Sequence, residues 1–133
     1  MKKLIDMHTH TNYSDGDYSP TELIKLAKKQ NIKIIAITDH DTLEGIKNVP
    51  KNIKGIKVIH GIELTAKVSK GRMHILGYNI DYKSPEFIKL YEELMKDVER
   101  KNQDLIKATN SLGADISIED IRKICKSKNI RKP

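Results

Sequence analysis

The stretch that most constrains the fold of this chain is the run Ile32–Thr38, which reads Ile-Lys-Ile-Ile-Ala-Ile-Thr. A nearly continuous run of β-branched residues is typical of a strand buried on both faces of a parallel sheet, since a half-exposed strand alternates apolar and polar residues. Parallel strands need long crossover connections, and helical patterns on both sides of the run supply them. The run therefore predicts an α/β fold. At 133 residues, the chain is long enough for one ordinary domain.

The segments around this run follow a strand–helix–strand order. Ser19-Pro20-Thr21-Glu22 is a helix-start signal, because Ser19 can cap, Pro20 suits the first helical position and Glu22 can complete a capping box. Such an order predicts right-handed βαβ units. The predicted elements are strands at Leu4–Met7, Ile32–Thr38 and Ile56–Ile59, helices at about Pro20–Gln30 and from Thr42 towards Pro50, and a hairpin of Leu64–Val68 with Met73–Ile80.

The pattern becomes purely helical after Tyr82. Ser84 begins a long helix that is expected to continue to about Ser111. Gly113 follows at the usual helix-ending position. Ser117 then caps a second helix, predicted over Ile118 to about Lys126, which makes an αα-hairpin. Two regions are therefore predicted: residues 1–82, with the strands, and residues 83–133, with the helices.

Two histidines, His8 and His10, stand two positions apart directly after the first predicted strand. Residues i and i+2 of an extended strand point to the same face, so both imidazoles are expected to face one point. Asp15, in the turn that follows, adds a carboxylate, and this combination suits zinc, manganese or iron. The plainer alternative is a pair of polar residues near an N-terminus with no ligand.

Three further candidates come from later in the chain. His40 lies between two aspartates after the second strand, with a loop histidine and surface neighbours as the alternative. Glu63 interrupts an apolar strand, where a carboxylate is costly without a partner such as a metal ion. His74 lies in an apolar segment, with a hydrogen-bonded core histidine as the alternative. His60 is expected to be structural, because its odd offset from Glu63 places it on the other face of a regular strand.

All these candidates fall at or near strand ends of one βα array, the edge where α/β proteins bind ligands. Two or three divalent ions would balance such a group of charges, activate water and hold a phosphoryl group. The only cysteine, Cys125, is expected to pack in a helix, which leaves no thiolate ligands. The formal charge of +7 suits an anionic substrate such as a phosphate ester, although lysine-rich compositions occur in proteins of every function.

Four ordered motifs carry a resemblance to a known family. They are Asp-Met-His-Thr-His-Thr with Tyr-Ser-Asp-Gly, Ile-Thr-Asp-His-Asp-Thr, Gly-Ile-Glu, and His-Ile-Leu-Gly-Tyr, and together they span roughly the first 80 residues. This pattern resembles the polymerase-and-histidinol-phosphatase (PHP) family. The resemblance implies part of a distorted (β/α)7 barrel, followed by a helical insertion, and a trinuclear centre of manganese, iron or zinc that hydrolyses phosphoesters.

The resemblance also implies roles for individual residues. His8 and His10 would bind the first ion, Asp15 and His40 a second, Glu63 would bridge two ions, and His74 would bind the remaining one. An aspartate at position 15 resembles the branch of 3′,5′-nucleoside-bisphosphate phosphatases and 5′→3′ exoribonucleases, whereas histidinol phosphatases typically have histidine there. The implied substrate is a phosphorylated nucleotide or short oligonucleotide, attacked by metal-activated hydroxide. Lys70 and Arg72 are candidates to contact its phosphate, with a solvated turn as the alternative.

One departure from the family pattern concerns the end of the chain. The family contributes a further histidine and an Asp-x-His pair from later strands, and no histidine follows His74. We therefore expect a chain truncated at Pro133, whose missing barrel half comes from further sequence or a partner chain. The rival hypothesis is a non-catalytic remnant that binds metal or nucleic acid. Without an apolar run of membrane-spanning length or a signal peptide, a cytoplasmic location is expected.

Overall fold

The computed structural model describes residues 4–66, 68–71 and 73–124. The chain divides into two compact units, Met1–Ile80 and Asp81–Pro133, and the assignment of separate roles to the regions 1–82 and 83–133 stays a prediction. Arg72, Cys125 and the predicted end of the last helix near Lys126 lie outside the described residues.

The first unit contains a four-stranded mixed sheet with two helices. The strands lie in the order β1-β2-β3-β4; β1, β2 and β3 are parallel to one another, and β4 is antiparallel to β3. Helix α1 connects β1 to β2, and the short helix α2 connects β2 to β3. The elements are β1 (Leu4–Thr9), α1 (Pro20–Lys29), β2 (Ile32–Ile37), α2 (Glu44–Lys47), β3 (Lys57–Ala66) and β4 (Met73–Tyr78).

The core of this unit forms where α1 packs on the central strands. Ile24 and Ala27 of α1 form a buried cluster with Ile35 of β2 and with Ile56. The start of α1 has the predicted capping box: the Glu22 amide donates to the Ser19 hydroxyl, and the Ser19 amide donates to the Glu22 carboxylate. The strong apolar run therefore became a strand whose second half is buried, and the local start signal placed the helix that packs on it.

Strand β3 corrects one prediction. A strand at Ile56–Ile59 and a separate hairpin strand from Leu64 were expected, but Lys57–Ala66 is one continuous strand. Its first part pairs with β2 and its second part with β4, so every residue of the strand has a partner in a neighbouring strand. Gly61 stands at this change of partner, where a Cβ would lie 2.8 Å from both the Gly77 carbonyl oxygen and the Thr38 methyl. Only a residue without a side chain permits that approach.

The sheet is curved. The hydroxyl of Tyr78, on outer strand β4, donates a 2.8 Å hydrogen bond to the carbonyl oxygen of Met7, on outer strand β1. Two strands lie between them in the sheet order, so only curvature can bring these residues into contact. A curved sheet directs side chains of one face towards a common axis.

The second unit contains helices α3 (Pro85–Ser111) and α4 (Ile118–Ile124). The Ser84 hydroxyl caps α3 by accepting from the Phe87 amide. At the start of α4 the Ser117 hydroxyl accepts from the Asp120 amide, and the Ser117 amide donates to the Asp120 carboxylate. No residue of either helix is buried among those described. None of the described helices is both long enough and apolar enough to cross a membrane. Antiparallel packing of the two as an αα-hairpin stays a prediction.

Candidate metal centre

The six predicted ligand residues lie on strands β1, β3 and β4 or in the segments that follow β1 and β2, and Glu63 lies within β3 rather than at the strand end that was expected. His8 is in β1 and His10 follows it directly after Thr9, while Asp15 lies in the loop beyond. His40 lies in the segment that leaves β2, where it forms an isolated parallel bridge with Glu63. Glu63 and His74 are on β3 and β4. The fold brings together groups that are as far apart in sequence as positions 8 and 74.

The carboxylate of Glu63 is the centre of the cluster. It is buried, with 7% of its side chain exposed, and four imidazoles surround it. Its Oε2 lies 2.8 Å from His8 Nε2, 3.1 Å from His10 Nε2 and 3.6 Å from His40 Nδ1. Its Oε1 lies 2.9 Å from His74 Nδ1. Both carboxylate oxygens therefore face ring nitrogens rather than water.

Asp15 supplies a second carboxylate on the outer side of the cluster. Its Oδ1 lies 3.2 Å from His10 Nδ1, and its Oδ2 lies 3.6 Å from His40 Nε2. The side chain is 57% exposed. His10 and His40 thus each lie between Glu63 and Asp15, with one ring nitrogen facing each carboxylate.

The ligand atoms fit divalent ions. Three groups each place one atom per residue within 4.8 Å of the others, and neighbouring groups share a residue. Nitrogen from imidazole and oxygen from carboxylate form the donor set that zinc, manganese and iron accept. The groups are His8–His10–Glu63, His10–Asp15–His40 and His40–Glu63–His74.

The environment of Glu63 acts on its ionisation in two directions. Burial raises the pKa of the carboxyl, because it disfavours the charged form. The hydrogen bond with His8, the charge of His40 and the hydrogen bond with His74 lower it, and together they outweigh burial, so the pKa of Glu63 lies below its ordinary value. The carboxylate is therefore ionised at neutral pH and available as an anionic ligand.

The burial of the aspartates on either side of His40 is a feature of the site that sequence reasoning missed. The loop alternative assumed surface neighbours for His40, and that alternative is wrong, because Asp39 is 1% exposed and Asp41 5% exposed. Both carboxylates accept several hydrogen bonds from neighbouring segments. Their position directly after a buried apolar strand was the available signal, since a buried carboxylate needs partners.

The remaining candidates lie away from the cluster or outside the described residues. His60 is in none of the ligand groups formed by the described residues; it lines a cavity of about 460 Å³ with Lys57, Tyr78 and Asn79. Lys70 is exposed in the turn between β3 and β4. Its contact with phosphate, and that of Arg72, stay predictions.

The fold and the cluster together define an α/β protein with a candidate centre for divalent ions. The family model of the PHP domain matches residues 6–121. The chain therefore belongs to the PHP domain family, which confirms the resemblance drawn from the four motifs.

Curated relatives act on nucleotides and RNA. The chain is 37% identical over 94 residues to a 5′-3′ exoribonuclease of Haemophilus influenzae, covering 69% of this chain and 34% of that protein. It is 34% identical over 83 residues to a 3′,5′-nucleoside bisphosphate phosphatase of Chromobacterium violaceum, covering 61% and 29%. The chain thus spans about a third of the length of these relatives. Their hydrolase activities bear out the prediction of a PHP-type hydrolase at the level of the family.

Solved structures agree on the fold. A provisionally assigned metal-dependent phosphoesterase from Bifidobacterium adolescentis has a TM-score of 0.79 at 25% identity, covering 93% of this chain and 43% of that one. An amidohydrolase from Chromobacterium violaceum, with bound sulfate and no metal, has a TM-score of 0.75 at 27% identity, covering 91% and 43%. The α/β fold shared with PHP-like phosphoesterases is confirmed, as is dependence on divalent metals at the family level. The complete (β/α)7 barrel and the number and identity of the ions stay predictions.

Proposed function

We propose that this chain provides the metal-binding part of a phosphoesterase that hydrolyses a phosphate ester of a nucleotide or short oligonucleotide. The observation that carries the proposal is the buried Glu63 carboxylate with four imidazole nitrogens at 2.8 to 3.6 Å. A buried carboxylate surrounded by imidazoles adds little to apolar packing, but its two oxygens can each coordinate a metal ion. The substrate class rests on the relatives, whose names specify nucleoside bisphosphate and RNA.

In this proposal each ligand group holds one ion. His8, His10 and Glu63 would hold the first, with Asp15 joining His10 and His40 at the second. His74 completes the third with His40 and Glu63. Divalent ions bound there supply Lewis acidity, lower the pKa of bound water and neutralise phosphoryl charge.

The chain's own residues prepare the site for cations. Glu63 fixes the directions of four imidazoles, so little rearrangement is needed when ions arrive. The two carboxylates provide negative charge, which favours the binding of divalent cations at an imidazole-rich site. Imidazole binds metal only when the coordinating nitrogen is deprotonated, so we expect metal affinity to fall as the pH is lowered through the histidine range.

The phosphate of the substrate needs positive charge beyond the ions. The formal charge of +7 supports binding of an anionic ligand, and electrostatic attraction raises its local concentration. Lys70 is an exposed cation in the β3–β4 turn, and with Arg72 it remains our candidate for phosphate contact. Lys70→Ala is then expected to raise KM for the substrate and leave kcat unchanged, whereas a purely solvated turn would leave both unchanged.

The decisive experiment is an assay of the purified chain with Mn²⁺ and a nucleoside 3′,5′-bisphosphate. We expect release of inorganic phosphate, and loss of at least about 100-fold in kcat/KM for His40→Ala, because the variant removes a ligand shared by two groups. His60→Ala is the matched control, since it removes the same side chain from a position outside the cluster. Its activity is expected to equal that of the unsubstituted chain.

Two results would contradict the proposal in different ways. Uptake of Mn²⁺ without phosphate release, both from the bisphosphate and from a short RNA, would favour the non-catalytic remnant. Failure of the chain to take up Mn²⁺, Fe²⁺ or Zn²⁺ would contradict the metal-dependent activity and leave only the nucleic-acid-binding form of the rival hypothesis. Metal analysis after dialysis separates these cases before any kinetic work.

A further inference from the structure

Two buried carboxylates flank His40 in the sequence, and neither belongs to the ligand groups. Asp39 and Asp41 are 1% and 5% exposed. A buried carboxylate is costly unless hydrogen bonds compensate for the lost water. Each of these two has its compensating donors on a different neighbouring segment, so the partners show what each carboxylate holds in place.

Asp39 holds the loop that follows β1. Its Oδ1 accepts from the Thr11 amide at 2.7 Å and from the Ser14 hydroxyl at 2.7 Å, and its Oδ2 accepts from the Thr11 hydroxyl at 2.7 Å. Thr11 directly follows His10, and Ser14 directly precedes Asp15. The loop that presents these two candidate ligands is therefore attached at both ends to one carboxylate.

Asp41 holds the end of β3 instead. Its Oδ1 accepts from the Thr65 amide at 2.6 Å and its Oδ2 from the Thr65 hydroxyl at 2.8 Å. Thr65 lies two residues beyond Glu63, on the same strand face, and is the direct cross-strand partner of His74. Asp41 itself has a positive φ of 43°, a conformation that aspartate tolerates better than most residues.

We propose that Asp39 and Asp41 are positioning residues with separate responsibilities in the metal centre. Asp39 sets the affinity of the ion held by His10, Asp15 and His40. Asp41 sets the affinity of the ion held by His40, Glu63 and His74. The inference rests on the proposed function, since it assumes that these groups bind ions, and it adds a division of labour that the ligand groups alone do not imply.

The physical basis is the cost of moving a ligand after its support is lost. The Thr11 and Thr65 hydroxyls donate charge-assisted hydrogen bonds, which are stronger than neutral ones. Without such a bond the segment gains freedom, and an ion must then order it again on binding. Outer partners of this kind change metal affinity by about 10- to 100-fold when they are removed. Gly45 also restricts the position of the Asp39 carboxylate, since a Cβ at residue 45 would lie 1.7 Å from Asp39 Oδ2.

The experiment uses paired substitutions at the two threonines. Thr65→Val removes the hydroxyl that donates to Asp41, and Thr65→Ser restores it. Titration of Co²⁺ into the metal-free chain, followed by visible absorption, is expected to show about tenfold weaker binding of one ion for valine and affinity within about twofold of the unsubstituted chain for serine. Thr11→Val and Thr11→Ser form the matching pair for Asp39.

The assignment of each pair to one ion is tested in two ligand-deletion backgrounds. The Thr65→Val effect is expected to disappear in His74→Ala and to persist in Asp15→Asn. The Thr11→Val effect is expected to disappear in Asp15→Asn and to persist in His74→Ala. Because Thr11 is fully buried, its valine variant is first compared with the unsubstituted chain by circular dichroism. If it does not fold, the half-buried Thr65 pair decides the Asp41 part of the proposal, without which the division between the two carboxylates fails.

Equal Co²⁺ affinity for valine and serine at position 65 would overturn the inference and leave the proposed function intact. An effect of Thr65→Val that is the same in His74→Ala and in Asp15→Asn would also overturn it, because a general loss of structure weakens the binding of every ion equally. An unsubstituted chain that binds no Co²⁺ would instead contradict the proposed function.

Discussion

The two units of this chain obtain their structure in different ways. The α/β unit buries the core around Ile35 and the Glu63 carboxylate at the centre of the ligand cluster, whereas none of the described residues from 81 to 124 is buried. The helices of the second unit begin at their own serine caps, Ser84 and Ser117, within four residues of the groups they bind. Local signals are thus enough to delimit helices, but a core and a site need contacts between distant parts of the chain.

The same contrast holds for charged groups. Ion pairs described in the helical unit join residues three apart, as in Asp97 with Arg100, and are exposed; such pairs contribute little to stability. In the α/β unit Glu63 meets His8 across 55 positions of sequence. Only contacts between residues distant in sequence place a charged group in surroundings that exclude water. A site that binds metal ions through buried carboxylates depends on such contacts.

The largest expected difference between the units is in side-chain truncation. Ile35→Ala should lower the free energy of unfolding by about 2–5 kcal/mol, because Ile35 is 1% exposed and its loss leaves a cavity. Leu90→Ala on α3 should change it by about 0.5 kcal/mol or less, since Leu90 is 52% exposed. Urea denaturation measures both. Similar losses for the two variants would show that the helical unit buries this face in solution.

Glycine substitutions give the next largest contrast. Gly45→Ala should destabilise by about 1–3 kcal/mol through overpacking against Asp39 Oδ2 and the Thr11 hydroxyl, which exceeds the gain in helix propensity of about 1 kcal/mol. Gly113→Ala meets no atom within 4 Å and suffers only from its φ of +94°, a cost of about 1–2 kcal/mol. Thermal denaturation measures the loss of stability in both variants. Co²⁺ binding then separates the two, because only Gly45→Ala should weaken it.

Helix capping should differ less between the units. Ser19→Ala removes a reciprocal capping box from α1, whereas Ser84→Ala removes a single bond to the Phe87 amide from α3. Each should cost about 0.5–2 kcal/mol, with the larger value at Ser19. Amide hydrogen exchange in the first turn of each helix measures the two effects separately. A larger effect at Ser84 would contradict the ranking.

The smallest effect concerns two exposed carboxyls at helix starts. The side-chain hydrogen bond from Ser19 lowers the pKa of Glu22, and the side-chain bond from Ser117 lowers the pKa of Asp120. A lowered folded-state pKa means that each contribution to stability is present above the unfolded pKa and is lost as the pH falls through the folded value. NMR titration of the carboxyl carbons should show both, and Ser19→Ala should raise the pKa of Glu22 towards its ordinary value while leaving the pKa of Asp120 unchanged.

Much of the candidate site could be foreseen from the sequence. The pair His8 and His10, with Asp15 beyond, is legible because the two-residue period of a strand fixes which side chains share a face. The apolar run before His40 predicts a buried strand, and His40 therefore lies just beyond the end of that strand. A meeting of the candidate groups at one edge of the strands was expected as well, but the central position of Glu63 among the imidazoles was implied only by the family resemblance.

The sequence by itself determined the buried strand β2, the start of α1 at Ser19 and the family of the chain, because these depend on residues close together or on ordered motifs. Only the tertiary structure decided that β3 runs unbroken past Gly61 and that Asp39 and Asp41 are buried supports. The physical reason is that strand continuity and the partners of a carboxylate depend on which segments meet in space. The spacing of residues in the sequence restricts which segments can come into contact, but it does not determine which of the possible contacts form.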